Sequence, residues 1–199
     1  ETALQADLDR ANDRDTLLVI VLVTLFITIM LGLLTRSIIA PLYMMGTILL
    51  SYFSALGIGI FLLDQFFGIE DISSRIPLYT FVFLGALGVD YNIMLVSRIQ
   101  EEVGKFSLKE AVQRGITFTG GVISSAGLIL AATFAVLTTQ PVMELFTFGF
   151  VVALGILIDT FIIRSMLVPA IIVLLGKWAF WPVKKKKIEE AQNKIEYDA

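Results

Sequence analysis

The chain has 199 residues, of which 57 % are hydrophobic and only 17 % charged, with a formal net charge of −3. Soluble domains are about 45–50 % apolar, so the composition places the chain in the membrane class, and its weak net charge argues against a nucleic-acid partner. Cysteine and histidine are both absent; this excludes a disulfide framework, thiolate chemistry and the commonest metal ligand, so proton chemistry must run on Asp, Glu, Tyr, Lys or Arg, and no metal or cofactor is implied.

Residues 1–15 are polar and acidic and lack the basic opening of a signal peptide. A chain that starts with neither Met nor a targeting segment reads as a piece of something longer. A membrane-spanning helix needs about 20 predominantly apolar residues. Four segments meet this requirement: 16–34, 41–63, 76–97 and 116–138. A fifth, 144–176, is too long for one simple span and too short for two. It is expected to form one helix, tilted or broken near Pro169, because Pro removes a backbone donor and crowds the preceding turn. The fold class is therefore an all-α membrane protein with five transmembrane helices. Between the third and fourth spans, residues 98–115 carry a partial apolar stripe (Val103, Phe106, Leu108, Ala111, Val112) among charges, which fits an amphipathic helix lying on the membrane or, equally, a solvated connector with a helical turn. Trp178 and Trp181, then four lysines at 184–187, open a basic tail over 177–199. Eleven of the 15 basic residues fall on the same side as this tail, so the positive-inside rule predicts a cytoplasmic C-terminus and an external N-terminus.

Three charges fall within spans: Asp90, Asp159 and Arg164. Each costs at least about 2.5–3.5 kcal/mol near the bilayer centre on insertion scales. Asp90 is too deep for its short side chain to reach an interface. Burial disfavours a charge and a neighbouring cation favours one, so a carboxyl between those influences can load and release a proton as its surroundings change. Tyr91, the next residue, can donate a hydrogen bond to a carboxylate or to water. Asp159 and Arg164 are five apart, about 140° around an α-helix, and this spacing predicts that each faces a partner on another helix. The plainer alternative is an ion network that only locks helices together. Gly120/Ser124 and Gly121/Ser125 form small-xxx-small pairs, and Gly85 and Gly88 give the Asp90 helix a similar face, all suited to close helix packing. Ser124 and Ser125 are also candidates to touch the buried carboxylate.

Residues 77–102, with the core Gly88-Val-Asp-Tyr-Asn92 followed by Ser97-Arg98 and Glu101-Glu102, closely resemble the MMPL branch of the RND exporter superfamily. Asp7-Leu8 and Arg14-Asp15, the turn Arg36-Ser37 to Ala40-Pro41-Leu42, Asp159 to Arg164 with Val168-Pro169-Ala170, and Trp178 with Trp181-Pro182 are similar to further parts of that family. Met94 stands where a Phe is common. The resemblance implies helices 8–12 of a twelve-helix transporter, with residues 1–15 the end of an external porter domain. It implies a proton relay of Asp90, Tyr91, Asp159 and Arg164, partnered by the N-terminal half and porter domains of the same transporter. The implied activity is export of lipids or hydrophobic drugs, driven by protons across a bacterial cell membrane. A secretion accessory or sterol-sensing relative of the same fold, or a membrane scaffold without ion flux, are the alternatives; no nucleophile–base pair or phosphate-binding loop points to an enzyme.

The topology is testable because this chain contributes no thiol of its own. A cysteine placed at Lys186 in the full-length protein is expected to react with a membrane-impermeant maleimide only after the cells are permeabilised; labelling of intact cells would reverse the orientation.

Overall fold

The computed structural model describes residues 2–69, 72–103 and 105–181, with side chains described from Leu18 onward except that of Lys177. The four lysines at 184–187, expected as a cytoplasmic anchor, lie outside the described residues. Among the described residues, five helices are long and apolar enough to cross a membrane. The first, α1 (Thr2–Thr35), is unbroken, and its apolar part is Leu18–Thr35. At 1.5 Å per residue, α1 is about 50 Å long against a hydrocarbon core of about 30 Å, so its polar N-terminal half extends the helix beyond the membrane.

Helix α2 (Ile39–Phe67) stops at Gly68, whose left-handed backbone (φ 63°) lets its N–H reach back to the Asp64 carbonyl. Helix α3 (Arg75–Glu102) and helix α4 (Leu108–Ala135) follow. They overturn the expected membrane-surface helix at 98–115, because those residues are the ends of two long helices joined by a short turn. The physical reasons are local. Arg98 pairs with Glu101 at 2.8 Å and Glu102 at 3.3 Å, one helical turn on, which carries α3 past Ser97. Ser107 caps α4 by accepting from the Glu110 N–H at 3.4 Å, with the acidic Glu110 in the first turn. After a 3-10 turn (Val136–Thr139), α5 (Met143–Ile158) leads through a π-helical segment (Asp159–Leu167) into α6 (Val168–Leu175). This last span is continuous, and its departure from α-geometry precedes Pro169 rather than falling at it. The Val168 N–H reaches the Ile163 carbonyl, five residues back.

The last span is central. It packs against α2, α3 and α4, whereas α1 packs mainly on α2 and α3 and leaves most of its span exposed. Glycines allow the close approaches, but largely not those expected. A Cβ at Gly155 would lie 2.7 Å from Leu84 and 2.8 Å from Ala55; one at Gly149 would lie 2.6 Å from the Phe134 carbonyl oxygen. Gly88 sits against Ile48, where a Cβ would come within 2.9 Å, and Gly85 faces Ile27. Gly121, expected to pack, has nothing within 4 Å, and Gly120 has only its own helix's Ile116 at 3.9 Å. Gly127 instead closes α4 on Thr160 of the π segment. At the end away from the basic loops, Phe83, Phe134 and Phe148 join α3, α4 and α5 edge to face, with ring centroids 5.4–5.9 Å apart. At the basic end, the chain beyond α6 tucks under the bundle: Ala179 and Phe180 are buried, and the Trp181 carbonyl accepts from the Ser37 hydroxyl and the Ile38 N–H.

Gly149→Ala is expected to lower stability by about 1–3 kcal/mol, the range for overpacking a filled site, because one of its neighbours is backbone and cannot move aside. Gly121→Ala should leave the melting temperature of the full-length protein unchanged or slightly raised. Equal melting of the two variants would refute this assignment of the packing glycines.

Candidate functional site

The π-helical segment builds the centre of the site. In an α-helix, residues five apart point away from each other; with i→i+5 backbone bonds they stack. The wide turn therefore brings Arg164 over Asp159, and its guanidinium Nη2 donates to the Asp159 carboxylate Oδ2. This corrects the expectation that the two face separate partners, which assumed α-geometry throughout the span. The same register lets the Ser165 hydroxyl donate to the Thr160 carbonyl at 2.8 Å. Pro169 contributes from downstream, since its ring excludes the ordinary four-residue bond and favours the wider turn before it.

Arg164 is 2 % exposed and Asp159 8 %. The guanidinium carbon also lies 4.7 Å from the ring centroid of Tyr91 on α3, a cation–π contact worth about 2 kcal/mol when desolvated. Three expected relay residues, Tyr91, Asp159 and Arg164, are thus in one cluster. Arg164 still has two buried nitrogens, Nε and Nη1, without a hydrogen-bond partner among the described residues. It borders a cavity of about 20 Å³, large enough for one water, whose polar lining includes Thr119, Ser124 and Ser165.

Asp90 is placed differently from expectation. It lies about midway along α3, roughly 22 Å from Arg75 and 18 Å from Glu102 at 1.5 Å per residue, but its side chain is exposed on this chain's surface. It makes no ion pair with Arg164, whose carboxylate partner is Asp159. The reason is rotational: the α3 stripe Val82, Ala86, Asp90 faces outward, while Leu84, Gly88, Asn92 and Leu95 face the bundle. Ser125 is also exposed and donates to its own helix at the Val122 carbonyl. Ser124 borders Arg164 rather than Asp90. Sequence reasoning missed Thr119, Thr160 and Ser165. Thr160 and Ser165 are the direct neighbours of Asp159 and Arg164 in the sequence, and Thr119 is a hydroxyl in an apolar run five residues before Ser124, which are signals the sequence offered.

Five membrane-crossing helices around a buried, ion-paired arginine define a multi-pass membrane protein with an intramembrane charge centre. The chain belongs to the MMPL family, whose model matches residues 1–194. It is 54 % identical over 92 % of its length to a membrane protein of Streptomyces coelicolor and 49 % identical over 97 % to the apo-petrobactin exporter of Bacillus anthracis. It is 41 % identical over 75 % of its length to the acyltrehalose exporter of Mycobacterium tuberculosis. The chain spans 22 %, 26 % and 15 % of these three relatives, about a quarter of the length of the first two.

Removing one member of a buried ion pair is costlier than replacing both. Asp159→Asn in the full-length protein is expected to cost about 3–5 kcal/mol by leaving a buried unpaired cation, whereas the double variant Asp159→Leu with Arg164→Met should recover most of that loss. Thermal melting of the three proteins checks this; a double variant no more stable than Asp159→Asn would count against it.

Proposed function

We propose that this chain is one membrane half, the C-terminal one, of a proton-driven exporter of lipids or other hydrophobic compounds. It works in a bacterial cell membrane with its C-terminus in the cytoplasm, alongside the N-terminal half and external porter domains of the same transporter. The observation that carries this reading is the pairing of a fixed buried cation with a free acid one residue from its support. Arg164 is held by Asp159 and lies against Tyr91, and the adjoining Asp90 has no ion pair or hydrogen bond to another described residue.

A carboxylate at mid-span does not rest against hydrocarbon; such groups face a protein neighbour or a water-filled space. The exposed face around Asp90 is the surface that the rest of the transporter covers. Asp90 then stands at the junction of the halves, where a proton path from outside reaches it. Protonation removes its charge beside the Tyr91–Arg164–Asp159 cluster, and the helices settle into a second arrangement. Moving one charge through 100 mV supplies about 2.3 kcal/mol, enough to bias a two-state element separated by a few kcal/mol. The long helix α1 transmits that shift outward. Relatives bearing the names apo-petrobactin exporter and acyltrehalose exporter support the reading of export.

Asp90→Asn in the full-length protein is expected to abolish proton-dependent export and proton uptake in proteoliposomes while leaving membrane level and melting temperature close to wild type, since the side chain has no packing role within this chain. A well-expressed Asp90→Asn protein that still exports with the proton gradient sinks the proposal; wild-type protein that takes up no protons would favour a scaffold.

A further inference from the structure

The turn between α1 and α2 holds a feature that the proton pathway does not use. Arg36 is the one described non-glycine residue with a positive φ, at 48°. Such a conformation is strained for a residue with a Cβ and persists only where the surroundings impose it. Here they do so from both sides. Trp181 fixes Ser37 and Ile38 through its carbonyl at 2.8 and 3.1 Å, and the Gln100 side chain donates to the Thr35 carbonyl at 3.3 Å. The Arg36 side chain is nevertheless exposed and makes no ion pair or hydrogen bond with a described residue. It stands at the polar end of an open groove of about 570 Å³ between α1 and α2. The groove walls are apolar, with Ile29 and Leu33 on one side and Pro41 and Leu42 on the other. Gly32 lies between them, where a side chain would start 3.7 Å from Pro41.

An apolar groove running along two membrane helices and ending at an unpaired guanidinium matches one kind of occupant. The walls take an acyl chain. The guanidinium takes a phosphate, for which its planar fork of donors is suited. A net negative headgroup is favoured over a zwitterionic one, whose own cation competes for the same phosphate. In the sequence, four lysines at 184–187 start three residues after Trp181, the residue that fixes this turn. We propose that this groove is a binding site for an anionic phospholipid, with one acyl chain between α1 and α2 and the phosphate at Arg36.

The test uses the full-length protein purified in detergent and incubated with equal phosphatidylglycerol and phosphatidylcholine, with bound lipid read by native mass spectrometry. Wild type is expected to retain phosphatidylglycerol preferentially. Arg36→Gln should reduce that preference about five-fold, the effect of one basic residue near a charged surface, and Arg36→Lys should keep most of it. Gly32→Leu, which fills the groove without changing charge, should reduce retention of phosphatidylglycerol; Leu42→Trp, at a side chain 65 % exposed, does the same without threatening the fold. Equal retention of both lipids by wild type overturns the proposal. So does a preference that survives Arg36→Gln, or one lost only when the four lysines are replaced. Unchanged retention in both groove-filling variants overturns it as well.

Discussion

The arrangement of this bundle depends on one buried cation. A guanidinium within the membrane must be held by an opposite charge and by hydrogen bonds, because hydrocarbon provides neither. Arg164 meets that requirement inside its own helix, which widens to a π-turn so that Asp159 comes under it. The π-helix has poorer backbone geometry than the α-helix, and the ion pair, the Tyr91 ring and the downstream proline offset that loss. The pair therefore belongs to one element, and the last span can carry it into the centre of the bundle as a unit. Glycines at 149 and 155 let that span approach α2, α3 and α4 closely, with Gly127 on α4 closing against the turn itself.

The charges divide into two kinds. Arg164 and Asp159 are enclosed and paired with each other, so they form a fixed centre. Asp90 is exposed on the outer face of α3, with no ion pair or hydrogen bond to another described residue. The proton relay proposed above needs both kinds: a group that gains and loses a proton and a charge that responds. The exposure of Asp90 accords with a chain that covers about a quarter of its relatives' length. The groove at Arg36 lies at another place in the fold, at the basic end of the bundle.

Much of the fold was legible in the residues. Long apolar runs fix the number of spans, because a helix crossing a bilayer must satisfy its backbone internally and cover itself with apolar side chains. Their ends were less legible. The apolar run stops at Ser97, but helix α3 continues to Glu102 because Arg98 pairs along its face, and α4 begins at Leu108 because Ser107 and Glu110 cap it. These are local polar interactions that a hydrophobicity reading passes over. The membrane-surface helix expected at 98–115 failed for that reason. On α4, Gly120 and Gly121 meet no other helix of this chain, because a small-xxx-small spacing marks a face without saying which helix lies against it.

From the sequence alone follow the membrane class, the five spans, the presence of three intramembrane charges, and the resemblance that placed the chain in its family. Those properties are additive along the chain: each run of residues carries its own transfer cost and its own length. Which charges meet was decided only by the tertiary structure. Pairing depends on the rotation of each helix and on the pitch of one turn, and a change from four-residue to five-residue backbone bonding moves Arg164 from the far side of its helix to a place directly over Asp159. The same rotation of α3 brings Tyr91 under the guanidinium and leaves Asp90 outside.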